Sequence, residues 1–216
     1  ESMSLSPHVA HMRAGTKMGD VSFIDSMIRD GLWDAFNGYH MGQTAENVAD
    51  AFHISRADQD AFAYRSQLKA SAAQANGRLA REITPVVIPQ RKGEALLVDT
   101  DEHPRADTSM ESLARLRPMR AKIDPDSTVT AGNASGQNDG AALAIVTTAD
   151  KARTLGLRPL ARLASWSVAG VPPRTMGIGP VPASEKALGR LGLSLADMDV
   201  IELNEAFAAQ ALAVLQ

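Results

Sequence analysis

Toward its end the chain reads Val200-Ile201-Glu202-Leu203-Asn204-Glu205-Ala206-Phe207-Ala208-Ala209-Gln210. An apolar strand end passes straight into an alanine-rich helix, and a polar Asn-Glu pair sits at the junction. Strand ends that open into helices are where open α/β folds build their sites. The same alternation reaches back to about residue 138. Residues 141–148 read as a strand buried on both faces. Residues 149–155 read as a helix ended by Gly156, and 160–170 as a long strand carrying Trp166. Residues 182–191 read as a helix, Ser194 caps another short one, 200–203 read as a strand, and 206–215 as a helix. Such alternation confines the last third of the chain to a layered α/β core.

The first two-thirds have a different character. Residues 1–43 alternate short apolar pieces with Gly and Pro, and hold one short helix near 23–31. Thr44 can cap a helix over 45–52. Ser55 with Asp58 resembles a capping arrangement and opens the clearest helix, 56–76. There Ala61, Phe62, Arg65, Leu68, Lys69 and Ala72 recur at helical spacing, and Gly77 ends the run. Residues 82–89 and 96–98 are β-like. A short helix in 108–116 stops at Pro118, and 121–127 is a polar loop. This part reads as an insertion with its own small α+β structure.

Bulk properties exclude several classes. Net charge is −3, so a basic nucleic-acid face is not expected. No run approaches the roughly 18 apolar residues of a membrane helix. The start has no apolar signal core, which is the ground for expecting a cytoplasmic protein. There are no cysteines, so disulfides and thiolate metal sites are excluded within these 216 residues. His8 and His11 have i, i+3 spacing but lie beside Pro7 in a mixed loop, and no metal site is expected there.

The Asn204 junction has two readings from the residues alone. An Asn before a helix is an N-cap. The cap is the commoner role, and the other is to aim an amide, or a water it holds, at charge forming on a substrate.

Three further stretches join it. They are Gly38-Tyr39-His40-Met41-Gly42-Gln43-Thr44-Ala45-Glu46-Asn47-Val48-Ala49, Thr130-Ala131-Gly132-Asn133-Ala134-Ser135-Gly136-Gln137-Asn138-Asp139-Gly140-Ala141-Ala142, and Met176-Gly177-Ile178-Gly179-Pro180-Val181-Pro182-Ala183. With the Asn-Glu-Ala-Phe stretch, and in this order, they closely resemble the thiolase family over essentially the whole chain. The opening Glu1-Ser2-Met3-Ser4 is similar to a family segment as well. The resemblance implies a thiolase-like layered αβαβα fold, incomplete here, with an inserted α+β loop domain. Residues 1–2 would end the N-terminal half, 3–137 form the loop (CoA-binding) domain, 138–159 return to the N-terminal half, and 160–216 begin the C-terminal half.

The implied activity is reversible condensation of two acetyl-CoA to acetoacetyl-CoA plus CoA. The family uses a nucleophilic cysteine, an acid/base cysteine and a histidine in a Gly-His-Pro segment. None is among these residues, so the chain reads as the middle part of a longer polypeptide, inactive by itself. Asn204 matches the family asparagine whose bound water forms part of an oxyanion hole. Leu32, Met176, Ala206 and Phe207 match the walls of the coenzyme A tunnel. His40 and Met41 match its reactive end, and Met41 matches the residue that limits acyl length. Arg105 and Ser112 match positions near the adenine nucleotide, and Ala131 and Ser135 positions along the pantetheine arm. For Gly132 and Gly136, a tight turn and close approach to a ligand stay equally open. Arg120 stands after Pro118 and Met119, where many relatives place an aromatic residue against adenine, and could stack there or pair with a phosphate.

The resemblance implies acetyl-CoA, acetoacetyl-CoA and CoA as partners, all as substrates or products, and no cofactor or metal. It also implies a homodimer or homotetramer, with no nucleic-acid or membrane partner. The alternative is a thiolase-like protein that binds acyl-CoA or lipid without catalysis.

Overall fold

The computed structural model describes residues 1–216. In chain order the elements are β1 (His8–Val9), β2 (Ile24–Asp25), α1 (Ser26–Gly31), β3 (Trp33–Asp34), β4 (Tyr39–His40) and α2 (Met41–Ala51). Then come α3 (Arg56–Ala75), β5 (Val86–Ile88), β6 (Leu96–Val98), α4 (Met110–Ala114), α5 (Ala149–Thr154), α6 (Pro180–Gly189) and α7 (Ala208–Leu215). Single 3-10 turns lie at Leu79–Arg81 and Leu195–Asp197, and a 3-10 segment kinked at Thr175 spans Pro173–Ile178. The chain divides into two compact units, Glu1–Asn47 with Gln137–Asn204, and Val48–Gly136 with Glu205–Gln216.

In the first unit, β1 pairs antiparallel with β2 and β3 with β4. Asp25 caps α1 by accepting the Met27 N–H at 2.9 Å. Asp34 closes the β3–β4 turn by accepting the Phe36 N–H at 2.9 Å and the Asn37 side-chain amide at 2.6 Å. Gly38 takes φ +73° in that turn, where a side chain would be strained. Thr148 caps α5, and α6 starts on Pro180, whose missing N–H costs nothing at a first helical position.

In the second unit, Ser55 accepts the Asp58 N–H at 3.1 Å and starts α3 as expected. Gly77 at φ +75° follows its end. The core lies where α3 meets α4 and α7. Ala208, Ala209, Ala211 and Ala213 are all buried, and their small side chains let α7 lie close. The buried face of α3 begins with Gln59 and Asp60, which are polar. The stripe expected from the sequence runs along a different line, and Leu68 on it is 49% exposed. Near the start of α3, hydrogen bonds hold the inward-facing Gln59 and Asp60 in place.

Other expectations need correction. Helix α2 starts at Met41, so Thr44 lies inside its first turn and its hydroxyl donates to the Met41 carbonyl at 2.6 Å. The strands expected at 141–148, 160–170 and 200–203 are not strands. A strand is defined by its ladder, and no neighbouring segment forms a ladder with these three. Their side chains are correspondingly open: Leu143, Ile145, Val146, Leu160, Leu163, Val200 and Ile201 are exposed.

Candidate functional site

In the first unit the β3–β4 hairpin gathers three of the expected site residues. Trp33 pairs with His40 across the ladder, and the Met41 N–H donates to the Leu32 carbonyl at 2.8 Å. Leu32, His40 and Met41 therefore form one cluster, each half-buried. The His40 Nδ1 accepts the Gly42 N–H at 3.0 Å. Gly42 is the second residue of α2, so the imidazole acts as the helix N-cap. Burial pushes the His40 pKa below its ordinary value of 6.5. The Gly42 bond works in the same direction, because only the neutral ring has a lone pair to accept it. With Nδ1 accepting, the proton of the neutral ring sits on Nε2, which is left as a donor.

Met176 lies in the 3-10 turn Pro173–Ile178 and is 48% exposed. One side chain connects that turn to the hairpin. Buried Asn47 donates from Nδ2 to the Tyr39 hydroxyl at 3.1 Å and to the Arg174 carbonyl at 3.0 Å. Its oxygen accepts from Gln43 Nε2 at 3.0 Å. Asn204 is exposed, at the end of the unpaired segment that precedes α7.

In the second unit the loop 130–136 is stitched to the start of α7. The Ser135 N–H donates to the Ala206 carbonyl at 3.0 Å, and the Ala208 N–H to the Asn133 carbonyl at 2.9 Å. Ala134 and Phe207 form the antiparallel bridge between these bonds. Within the loop, Thr130 and Asn133 are buried while Ala131 and Ser135 are exposed. The loop thus turns the two residues expected to meet a ligand outward. Its glycine has a packing reason. A Cβ on Gly132 would lie 2.5 Å from Leu116 Cδ1 and 2.6 Å from Leu113 Cδ2, and its backbone is not left-handed. Close approach of two leucines, rather than turn conformation, excludes a side chain there.

Ser112 is committed to structure. It completes a capping box, accepting the Ser109 N–H at 3.0 Å and donating to the Ser109 carbonyl at 2.8 Å. Arg105 is exposed, with its backbone N–H on Gln67 at 2.9 Å. Arg120 is half-buried, and its Nε is buried with no hydrogen-bond partner. Glu205, next to Asn204, accepts from the Ser66 hydroxyl at 2.6 Å.

Asn47, Asp60 and Asn133 were not singled out by sequence reasoning. A signal existed: Asn and Asp are poor formers of helix interiors, and Asn47 and Asp60 stand well inside α2 and α3.

Residues 1–150 match the family model described as Thiolase, N-terminal domain, and residues 157–216 the one described as Thiolase, C-terminal domain. The chain belongs to the thiolase family. Relatives named acetyl-CoA acetyltransferase include one from Paracoccus denitrificans, 58% identical over 214 residues, covering 99% of this chain and 54% of that protein. Another, from Pseudomonas aeruginosa, is 57% identical over 215 residues, again 99% of this chain and 54% of the relative. The chain spans about half the length of the curated relatives it matches. Among solved structures, the Bacillus anthracis acetyl-CoA acetyltransferase superposes with a TM-score of 0.92 at 43% identity, over 99% of this chain and 53% of that one. The Syntrophomonas wolfei acetyl-CoA acetyltransferase gives 0.89 at 39%, with coverage of 99% and 53%. The fold is therefore the thiolase-like α/β fold. No helix is long and apolar enough to cross a membrane.

Proposed function

We propose that the protein carrying this chain is a thiolase that condenses two acetyl-CoA to acetoacetyl-CoA and CoA, reversibly. The observation that carries the reading is the high identity to acetyl-CoA acetyltransferases along 99% of the chain. The reaction has three demands: a covalent acyl carrier, removal of an α-proton from a second thioester, and fixed donors for the charge that develops on the thioester oxygen. The 216 residues hold no cysteine, so the first two demands fall to residues outside them. The chain by itself is assigned no condensation activity.

What these residues contribute is the third demand and the hold on coenzyme A. Asn204 is read as the side chain that fixes a water against the developing oxyanion. Leu32, His40 and Met41 are read as the reactive end, with the neutral His40 Nε2–H as a donor beside the acyl group. Ala131 and Ser135 are read as contacts of the pantetheine arm, with Ala206 and Phe207 beside them, and Met176 is read as an apolar wall residue. Arg105, Ser112 and Arg120 lie toward the nucleotide. A homodimer or homotetramer and a cytoplasmic location go with the reading.

The deciding experiment is acetoacetyl-CoA thiolysis by the full-length polypeptide, native and with Asn204→Ala. The native protein is expected to be active, and the variant to lose about 10²–10³ in kcat if the donor acts fully. CoA binding by a native protein without thiolysis would sink the enzyme and leave the non-catalytic acyl-CoA binder.

A further inference from the structure

Asp60 stands in α3 with its side chain 4% exposed. Both of its oxygens are used. Oδ2 accepts from Arg56 Nε at 2.8 Å, and Oδ1 from Asn133 Nδ2 at 3.0 Å. Asn133 is equally engaged. Its Oδ1 accepts the Thr130 N–H at 2.8 Å, its Nδ2 also donates to the Thr128 carbonyl at 3.1 Å, and its carbonyl accepts from Ala208. Arg56 reaches on to the Leu113 and Leu116 carbonyls at 2.8 and 3.0 Å. One buried carboxylate thus joins α3, the end of α4, the loop 128–135 and the start of α7.

Stability alone does not explain such a node. A buried ion pair is often no better than apolar groups of the same volume. Its distinctive property is geometric: each acceptor fixes one donor direction. Gln59, its neighbour, adds a second tie by donating to the Thr128 hydroxyl at 2.9 Å. The result is a loop whose inward residues are locked and whose outward residues, Ala131 and Ser135, are presented in one orientation.

We infer that Asp60 is a positioning residue, acting through Asn133 to set the loop 130–135 for the coenzyme A arm. This rests on the reading of that loop as a pantetheine contact. Held loops of this kind matter because a misplacement of about 1 Å can cost as much as 10²-fold.

The test is Asp60→Asn in the full-length polypeptide, assayed well below its unfolding transition. The substituted amide can still accept from Asn133 but turns a donor toward Arg56, so the node twists. The expected result is a KM for acetoacetyl-CoA raised about tenfold with kcat within about threefold, the split that lost substrate binding gives. An unchanged KM with a lowered melting temperature makes Asp60 a structural residue and overturns the proposal. If the variant does not fold, Asp60→Glu is judged by the same split. Should that also fail, Asn133→Ser, which leaves the Asp60–Arg56 pair and removes the link from Asp60 to the loop, is judged by the same split. CoA titration of the native protein keeps the underlying reading separate. If the native protein does not bind CoA, the functional assignment fails first and this inference falls with it.

Discussion

The side-chain amide of Asn47 donates to the Tyr39 hydroxyl at 3.1 Å, one residue from His40 in the chain. The same nitrogen donates to the Arg174 carbonyl, two residues before Met176. A single buried amide therefore ties the β3–β4 hairpin to the 3-10 segment that carries Met176. Asn47→Leu would leave both acceptors without their donor. The expected loss is about 1–3 kcal/mol, read as a lower denaturation midpoint of the full-length polypeptide. Faster amide exchange confined to residues 174–178 would identify the Arg174 tie as the part that matters. An unchanged midpoint would show that water replaces the amide at no cost.

His40 gives a pH dependence with a defined sign. Burial holds its folded-state pKa below the ordinary 6.5. The folded state thus prefers the neutral ring, and the unfolded chain binds the proton more readily. Stability from this group is fully present above the unfolded value, and is lost as pH falls through it toward the lower folded value. Protonation also removes the lone pair that caps α2 at Gly42. A proton NMR titration should place the His40 midpoint below 6.5, and His40→Asn should flatten the acid limb of the stability profile. A midpoint at or above the ordinary value would refute the argument.

Gly132→Ala tests the packing of the loop. The new Cβ would meet two leucine methyls at 2.5 and 2.6 Å. Leu116 is 37% exposed and can rotate away, whereas Leu113, 4% exposed, has no room. The expected cost is about 1–2 kcal/mol, at the low end of overpacking. Adding Leu113→Ala should recover part of the Gly132→Ala loss, beyond the sum of the two single effects. Strict additivity would place the strain elsewhere.

Some of this was legible in the sequence, for physical reasons. Capping is local chemistry, so Ser55 and Asp58 announced α3 and Ser194 announced the turn at Leu195–Asp197. Gly77 and Gly156 marked helix ends because both need a left-handed backbone. The order of the motifs identified the family without any structure. The start of α2 was misplaced because Thr44 is a better cap by type than His40 is. The His40 imidazole reaches the Gly42 N–H across only two residues, a local contact that residue type alone does not announce. The polar face of α3 was hidden for a different reason. Asp60 is buried because Asn133, 73 residues away in sequence, supplies its donor. The apolar runs at 141–148 and 160–170 look like strands because they carry strand composition. A ladder also needs a partner, and composition does not supply one.

The proposed role of Met41 is to limit acyl length. Its N–H is fixed on the Leu32 carbonyl and the Thr44 hydroxyl is fixed on its own carbonyl, so its backbone is anchored at the start of α2. If its thioether borders the acyl group, as the family resemblance implies, it limits chain length by occupying space. Met41→Ala in the full-length polypeptide should therefore improve kcat/KM for a six-carbon 3-ketoacyl-CoA relative to acetoacetyl-CoA. The expected change in that ratio is at least about 10-fold, because the two substrates differ by two methylenes and each one in an apolar pocket is worth roughly 10–200-fold. The comparison uses a ratio for a reason: a general loss of activity on shortening a half-buried side chain cancels from it. A ratio that stays the same while both substrates weaken would mean that Met41 packs the hairpin and does not meet the acyl chain.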